Sequence, residues 1–278
     1  MDTIELVGHS GCRLEIGRHD DRLCVIKTSK DQAYNDRLRR QCEKQKSFQH
    51  SLFRTPEIFT EHYETELFAF SMEYVNGVTL AEYLKHVEIS VIGDLVCTFT
   101  RDIPHVGTYD PDAGKIFSQK IQELKKVNLS GSEMSEPIAR AFDVLDAHAW
   151  EHCMSSRCHG DLTFENIIIQ DEKIYLIDFL DSFYDSWMMD VAKLLQDVEC
   201  RWSYRTESEV GENVEIRLLV FKQHLLDAIR FTEHGEEKIH TIYHMLLVNL
   251  LRILPYTHEK HVRTYVEKEI LKIIRLLT

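Results

Sequence analysis

The run Cys158-His159-Gly160-Asp161-Leu162-Thr163-Phe164-Glu165-Asn166, followed by Ile177-Asp178-Phe179, constrains this chain more than any other part of it. Asn166-Ile167-Ile168-Ile169 and Lys173-Ile174-Tyr175-Leu176-Ile177 are β-branched and aromatic, and Gln170-Asp171-Glu172 separates them. That is the pattern of a hairpin with a short polar turn. A turn centred on Asp171 sets Asn166 across from Leu176. Asp178 then projects from the same face as a diagonal neighbour roughly 7 Å away, close enough for one metal cluster to bridge the two side chains. A loop carrying Asp161 precedes the hairpin, so three oxygen-bearing residues are expected beside an otherwise apolar ribbon.

A carboxylate in a loop, an amide five positions on and a second carboxylate twelve beyond that are the polar groups phosphoryl transfer needs. Asp161 can accept a hydrogen bond from a substrate hydroxyl and orient it for in-line attack. Asn166 and Asp178 offer the hard oxygen ligands that magnesium prefers. A polar loop capping an ordinary hairpin would explain any one of these residues, but not all three at this spacing.

His159-Gly160-Asp161 with Asn166, and Ile177-Asp178-Phe179 in place of a full Asp-Phe-Gly, resemble the aminoglycoside phosphotransferase and choline kinase superfamily, the small-molecule branch of the protein-kinase-like fold. The form His-Gly-Asp-Leu-Thr-Phe-x-Asn is also similar to bacterial phosphotransferases associated with surface-polysaccharide genes. The resemblance implies an α+β, bilobal protein-kinase-like fold, with a small β-rich N-lobe over residues 1–76 and a larger, mainly helical C-lobe over 77–278. It also implies ATP and Mg2+ as cofactors, Asp161 as catalytic base, and Asn166 and Asp178 as magnesium ligands.

The N-terminal part is then expected to hold the nucleotide. Leu6 to Ile16 and Arg22 to Lys27 read as strand, glycine turn, strand, turn, strand. Lys27, ending the last apolar run, is expected at the α- and β-phosphates of ATP; a solvated strand-end lysine is the alternative. Only Gly8 and Gly11 of a full glycine-rich loop are present, with Ser10 between them, so backbone amides around Ser10 are expected to contact phosphate. Asp31 to His50 reads as a helix with Tyr34, Leu38, Cys42 and Gln45 or Phe48 on one stripe. Glu43, sixteen residues after Lys27, stands where kinase-like folds place the lysine's glutamate partner. Helical phase turns it about 100° from Cys42, so it borders the cleft or faces water. Leu67 to Val75 is a buried-strand pattern that resembles the hinge between lobes, where backbone groups of Glu73 to Val75 would bond an adenine edge.

Beyond Gly77 the chain reads as mainly helical. Met134 to His152 carries apolar residues at helical spacing, with Ser135 as N-cap and Pro137 in the first turn. Glu215 to Thr232, Glu236 to Leu254 and His258 to Leu277 continue with apolar stripes. Thr100 to Gly114 and Ser203 to Asn213 read as loops. Asp190 is either the N-cap of the helix it opens or, under the resemblance, a buttress of the loop around Asp161. Asp181 and Asp185 line the phosphate or acceptor site, or belong to a solvated turn.

Composition restricts the partners. A net charge of −13, from 33 basic and 46 acidic residues, disfavours a general nucleic-acid surface and suits a cationic or polyhydroxylated acceptor. Neither a signal-peptide pattern nor an apolar run long enough to span a bilayer is present, so membrane insertion is not expected and the chain is expected in the cytoplasm. Seven scattered cysteines are expected as reduced thiols. His152-Cys153 and Cys158-His159 gather four soft ligands, but their spacing lacks a recognised zinc-site form, and packing within the fold is the expected role.

Together these features predict an ATP- and Mg2+-dependent kinase acting on a small-molecule hydroxyl acceptor, with a sugar or sugar-containing precursor among the candidates. An atypical protein serine/threonine kinase is the rival enzyme. A non-catalytic nucleotide-binding regulatory protein is a further reading, against which the joint presence of Lys27, Asp161, Asn166 and Asp178 argues. Oligomeric state is left open.

Overall fold

The computed structural model describes residues 4–6, 12–102, 106–129, 134–207, 209–257 and 259–278. The chain divides into two compact units, Met1–Tyr83 with Phe164–Asp181, and Leu84–Thr163 with Ser182–Thr278. The expected boundary at residues 76/77 differs from this division in two respects: residues 77–83 and the hairpin after Asp161 both belong with the N-terminal unit. The reason is their pairing. Strands β10 (Ile167–Gln170) and β11 (Lys173–Leu176) form a four-stranded sheet with β4 (Phe53–Arg54) and β7 (Val78–Thr79), in the order β4-β11-β10-β7.

The first unit is built on a second sheet, in the order β1-β2-β3-β6-β5, of β1 (Ile4–Leu6), β2 (Arg13–His19), β3 (Arg22–Thr28), β5 (Ile58–Glu64) and β6 (Leu67–Glu73). The turns at Asp20–Asp21, Thr65–Glu66 and Asp171–Glu172 each place two residues at positive φ, between 44° and 72°. Such two-residue turns match the right-handed twist of their flanking strands. Helix α1 (Asn35–Ser47) lays Leu38 and Cys42 against Phe68, Phe70 and Met72 of β6, with Cys12 completing the cluster. Each fully buried large apolar side chain of this kind contributes about 1.5–3 kcal/mol.

The second unit is helical. Helix α2 (Leu80–His86) leads into it; α3 (Ile89–Thr100), α4 (Ala113–Leu129), α5 (Glu136–Ala147), α6 (Trp187–Cys200), α7 (Glu212–Arg230), α8 (Gly235–Ile253) and α9 (Lys260–Leu277) follow, with a short ribbon of β8 (Thr108–Tyr109) and β9 (Met154–Ser155). Helix α6 packs on α8, α3 on α7 and α5 on α9. Every residue of α6 except Asp190 is buried, including Lys193, Gln196, Asp197 and Glu199. A buried charge is tolerable only when paired. Asp197 accepts from the Ser203 amide and hydroxyl at 2.8 and 2.6 Å. Glu199 accepts from Tyr243 at 2.6 Å and meets Lys222 at 3.0 Å. Lys193 pairs with Asp161.

Two local expectations are corrected. The hairpin turn is two residues, not three: Ile167 pairs with Leu176 and Gln170 with Lys173, so Asn166 lies opposite Ile177 rather than Leu176. Asp190 is not an N-cap. Ser186 caps α6, accepting from the Met188 amide at 3.1 Å, because the helix starts at Trp187, three residues before Asp190. Among the described residues no helix is long and apolar enough to cross a membrane.

Candidate active site

In the first unit, strand alternation alone would turn Asp178 away from Asn166, since Asn166 is level with Ile177 and its carbonyl accepts the Ile177 amide at 3.0 Å. Asp178 escapes that alternation by adopting φ 62°. The chain leaves the strand there, and the Asp178 carboxylate accepts a short hydrogen bond from the Lys27 ammonium. Lys27 sits in the middle of the sheet, paired with Leu14 on β2 and Phe70 on β6, and is 4 % exposed. Burial pulls its pKa down, but the charge and hydrogen bond of Asp178 outweigh that effect and hold it above the ordinary lysine value. The ammonium is therefore fully charged and aimed at the metal-binding candidate.

The Glu43 pairing is absent. Glu43 is exposed, and the carboxylate that meets Lys27 is Asp178. Helical phase explains this: the inward positions of α1 are Leu38, Gln41, Cys42 and Gln45, and the neighbouring stripe Arg40, Lys44, Phe48 is basic and aromatic rather than acidic. Arg40 pairs with Asp181 at 2.9 Å, Lys44 donates to the Leu180 carbonyl at 3.0 Å, and Phe48 packs on Phe179 at 5.1 Å. Helix α1 thus clamps the three residues after Asp178, leaving Asp181 ion-paired. Asp185 accepts from the Cys158 thiol at 3.3 Å.

At the end of β6, the Glu73 amide donates to Glu57 at 2.8 Å and the Tyr74 amide to Leu23 at 3.2 Å, while the Val75 carbonyl accepts from Gly77 at 3.1 Å. None of these bonds uses the Val75 amide. Gly77 is required for closure: a Cβ there would stand 2.5 Å from Ile168 Cγ2 and from the Ile169 carbonyl oxygen. Ser10, with Gly8 and Gly11, lies outside the described residues.

In the second unit the loop around Asp161 is fixed from behind. Asp190 accepts the amides of His159 and Gly160, both at 2.7 Å, as the buttress reading expects. Gly160 turns the chain at φ 91°, a conformation that favours glycine. The Asp161 amide donates to His159 Nδ1 at 3.2 Å, and the Asp161 carbonyl accepts from Thr163 at 2.8 Å. Asp161 Oδ1 lies 2.9 Å from Lys193 Nζ, with side chains 31 % and 10 % exposed respectively. Burial pushes the Asp161 pKa up; Lys193, then His159 and Arg252, reverse this and hold it below the ordinary aspartate value. Sequence reasoning missed Lys193. Its signal was a lone charge inside Val191-Ala192-Lys193-Leu194-Leu195, where an apolar helix has no other use for one.

The first unit thus carries a buried lysine bonded to the aspartate that follows a β-hairpin, and the second a buttressed loop presenting a cation-paired aspartate; the family match below makes the chain a kinase of the protein-kinase-like class. Residues 18–216 match the model of the phosphotransferase enzyme family, and the chain belongs to that family. No curated protein sequence matches it. Among solved structures, a thermostable mutant of aminoglycoside phosphotransferase APH(4)-Ia, in ternary complex with AMP-PNP and hygromycin B, is similar with a TM-score of 0.68 at 16% identity, covering 99% of this chain and 93% of that one. A putative fructosamine-3-kinase from Haemophilus somnus 129PT gives 0.60 at 14% identity, covering 99% and 91%. The streptomycin-ATP-APH(2")-IIa ternary complex gives 0.58 at 15% identity, again covering 99% and 91%.

Proposed function

We propose that this kinase transfers the γ-phosphoryl group of ATP, with magnesium, to a hydroxyl of a polyhydroxylated small molecule. The observation that carries the reading is the Asp161–Lys193 pair on a loop locked by Asp190, because it keeps one carboxylate ionised and oriented where a base is needed. Asp161 accepts the hydrogen bond of the acceptor hydroxyl and takes its proton. The freed oxygen bonds to the γ-phosphorus, the bond to the β,γ-bridging oxygen breaks, and ADP leaves with that electron pair.

Asn166 and Asp178 fit magnesium, being hard oxygen donors of which one is already bonded to a cation. When bound, the metal neutralises charge on the phosphates. Lys27, drawn from Asp178, would hold the α- and β-phosphates, and the Val75 amide, with the backbone from Glu73, would meet the adenine edge. The family and the aminoglycoside and fructosamine enzymes among its structural likenesses support a sugar-like acceptor over a protein. Seven unbridged cysteines accord with a cytoplasmic location.

Incubation with γ-labelled ATP and either a metabolite or a protein extract tests this. Label is expected in a small molecule with the natural chain and absent with Asp161→Asn, whose nucleotide affinity and folding persist. Label in protein alone, or near-normal transfer by the variant, would overturn the reading.

A further inference from the structure

Three imidazoles meet in the helical unit, apart from every residue assigned above. His148 caps the C-terminus of α5, and His240 and His244 stand one turn apart on the same face of α8. One ring nitrogen of each lies within 4.8 Å of the others. His148 and His244 stack with centroids 3.8 Å apart and planes 9° from parallel, and His240 stands edge-on to both, at 5.5 and 4.5 Å. We propose that His148, His240 and His244 bind a zinc-class transition-metal dication that ties the end of α5 to α8.

The hydrogen bonds select the ligand atoms. His244 Nδ1 is 2.8 Å from the His240 carbonyl oxygen, which can only accept, so Nδ1 carries the proton and Nε2 keeps the lone pair. The Thr241 hydroxyl donates to the Glu151 carbonyl at 3.3 Å, which leaves its oxygen to accept from His148 Nε2 at 3.2 Å. The His148 lone pair is thus on Nδ1. Holding the second nitrogen of a ligating imidazole in this way sets its tautomer. Burial, then the neighbouring imidazoles, lowers His148 to about 3 and burial lowers His244 to about 4, so both rings are neutral at pH 7.

Stacking of two neutral rings accounts for the His148–His244 contact. It does not account for the third imidazole one turn along, on the exposed side, where solvent would complete the shell of a bound ion. Three nitrogens about 2.0–2.1 Å from one ion stand about 3.3 Å apart. The rings must therefore close by up to about 1.5 Å, and one of the stacked pair must rotate about χ2. An imidazole-only set suits zinc, copper or nickel rather than magnesium. The packing of Trp150 edge-on to His148, at 4.8 Å, places an indole beside the site.

The test uses untagged full-length protein, stripped with chelator and free of nucleotide, titrated with zinc against a chromophoric competitor and by thermal unfolding. One zinc per chain is expected, with a rise in Tm. His240→Ala and His240→Asn, both at an exposed position, are each expected to weaken binding about tenfold or more and abolish the Tm shift, whereas His234→Ala is expected to do neither. Copper is expected to quench tryptophan fluorescence in the natural chain and not in the His240 variants. The absence of saturable zinc binding, or binding that a folded His240 variant retains in full, would overturn the proposal.

Discussion

Replacing Lys193 by Met removes the cation at Asp161 while nearly conserving volume. The two groups are 2.9 Å apart, with Lys193 buried and Asp161 about one-third exposed. Two unit charges 4 Å apart interact by about 4 kcal/mol at an effective dielectric of about 20. An opposite charge at such range changes a carboxylate's protonation equilibrium by a factor of about 10 to 1,000, or about 1.4–4 kcal/mol. His159 and Arg252 still act on Asp161 in the variant, which favours the lower half of that range. The sign is fixed by the depressed pKa: the base is ionised above it and lost as pH falls through it. Lys193→Met should therefore shift the acidic limb of kcat/KM to higher pH, while Lys193→Arg should leave it near its natural position. Site-resolved carbon NMR of the Asp161 carboxyl measures the same shift without an acceptor. Superimposable titrations of natural chain and folded Lys193→Met would refute the reasoning.

Glu199→Ala should cost about 1–3 kcal/mol in urea unfolding, because it leaves the buried Tyr243 hydroxyl without its acceptor and removes the carboxylate that Lys222 and Lys272 share. Burial raises the Glu199 pKa, but Tyr243 and the two lysines hold it below the ordinary glutamate value, so the difference from the natural chain should be largest at neutral pH and shrink as pH falls through that lowered pKa. Glu172→Gly should stabilise the first unit by about 1 kcal/mol in the same assay, since residue 172 holds φ 62°. Glu43→Ala should leave nucleotide affinity within about twofold by calorimetry, as expected of an exposed position, and a larger loss would restore the lysine–glutamate pairing.

The candidate site is legible in the sequence where it depends on residue type and spacing. His159-Gly160-Asp161, Asn166 and Asp178 stood out because few structural demands place oxygen donors at those intervals in an apolar setting. Backbone detail was less legible. The two-residue turn at Asp171–Glu172 contains no glycine to mark its positive φ values, so the sequence pattern centres the turn half a residue early and hides the reason Asp178 faces Lys27. Helical phase decided Glu43: periodicity located α1 and its stripe, but only packing against β6 shows that Gln41 joins Gln45 on the inward side. Lys193 and the three imidazoles were missed for a shared reason. Each depends on a partner far along the chain, Asp161 for the lysine and α5 against α8 for the histidines; a lone charge in an apolar run marks Lys193 as buried but does not name its partner.

Under the proposed function, Asp178 exchanges Lys27 for magnesium when ATP binds. Titrating ATP into the protein by calorimetry, with and without magnesium, and repeating the pair on Asp178→Ala tests it most directly. Affinity in the natural chain should be strongly magnesium-dependent, and that dependence should vanish in the variant. Equal affinity with and without the metal in the natural chain, or an undiminished magnesium effect in Asp178→Ala, would contradict it.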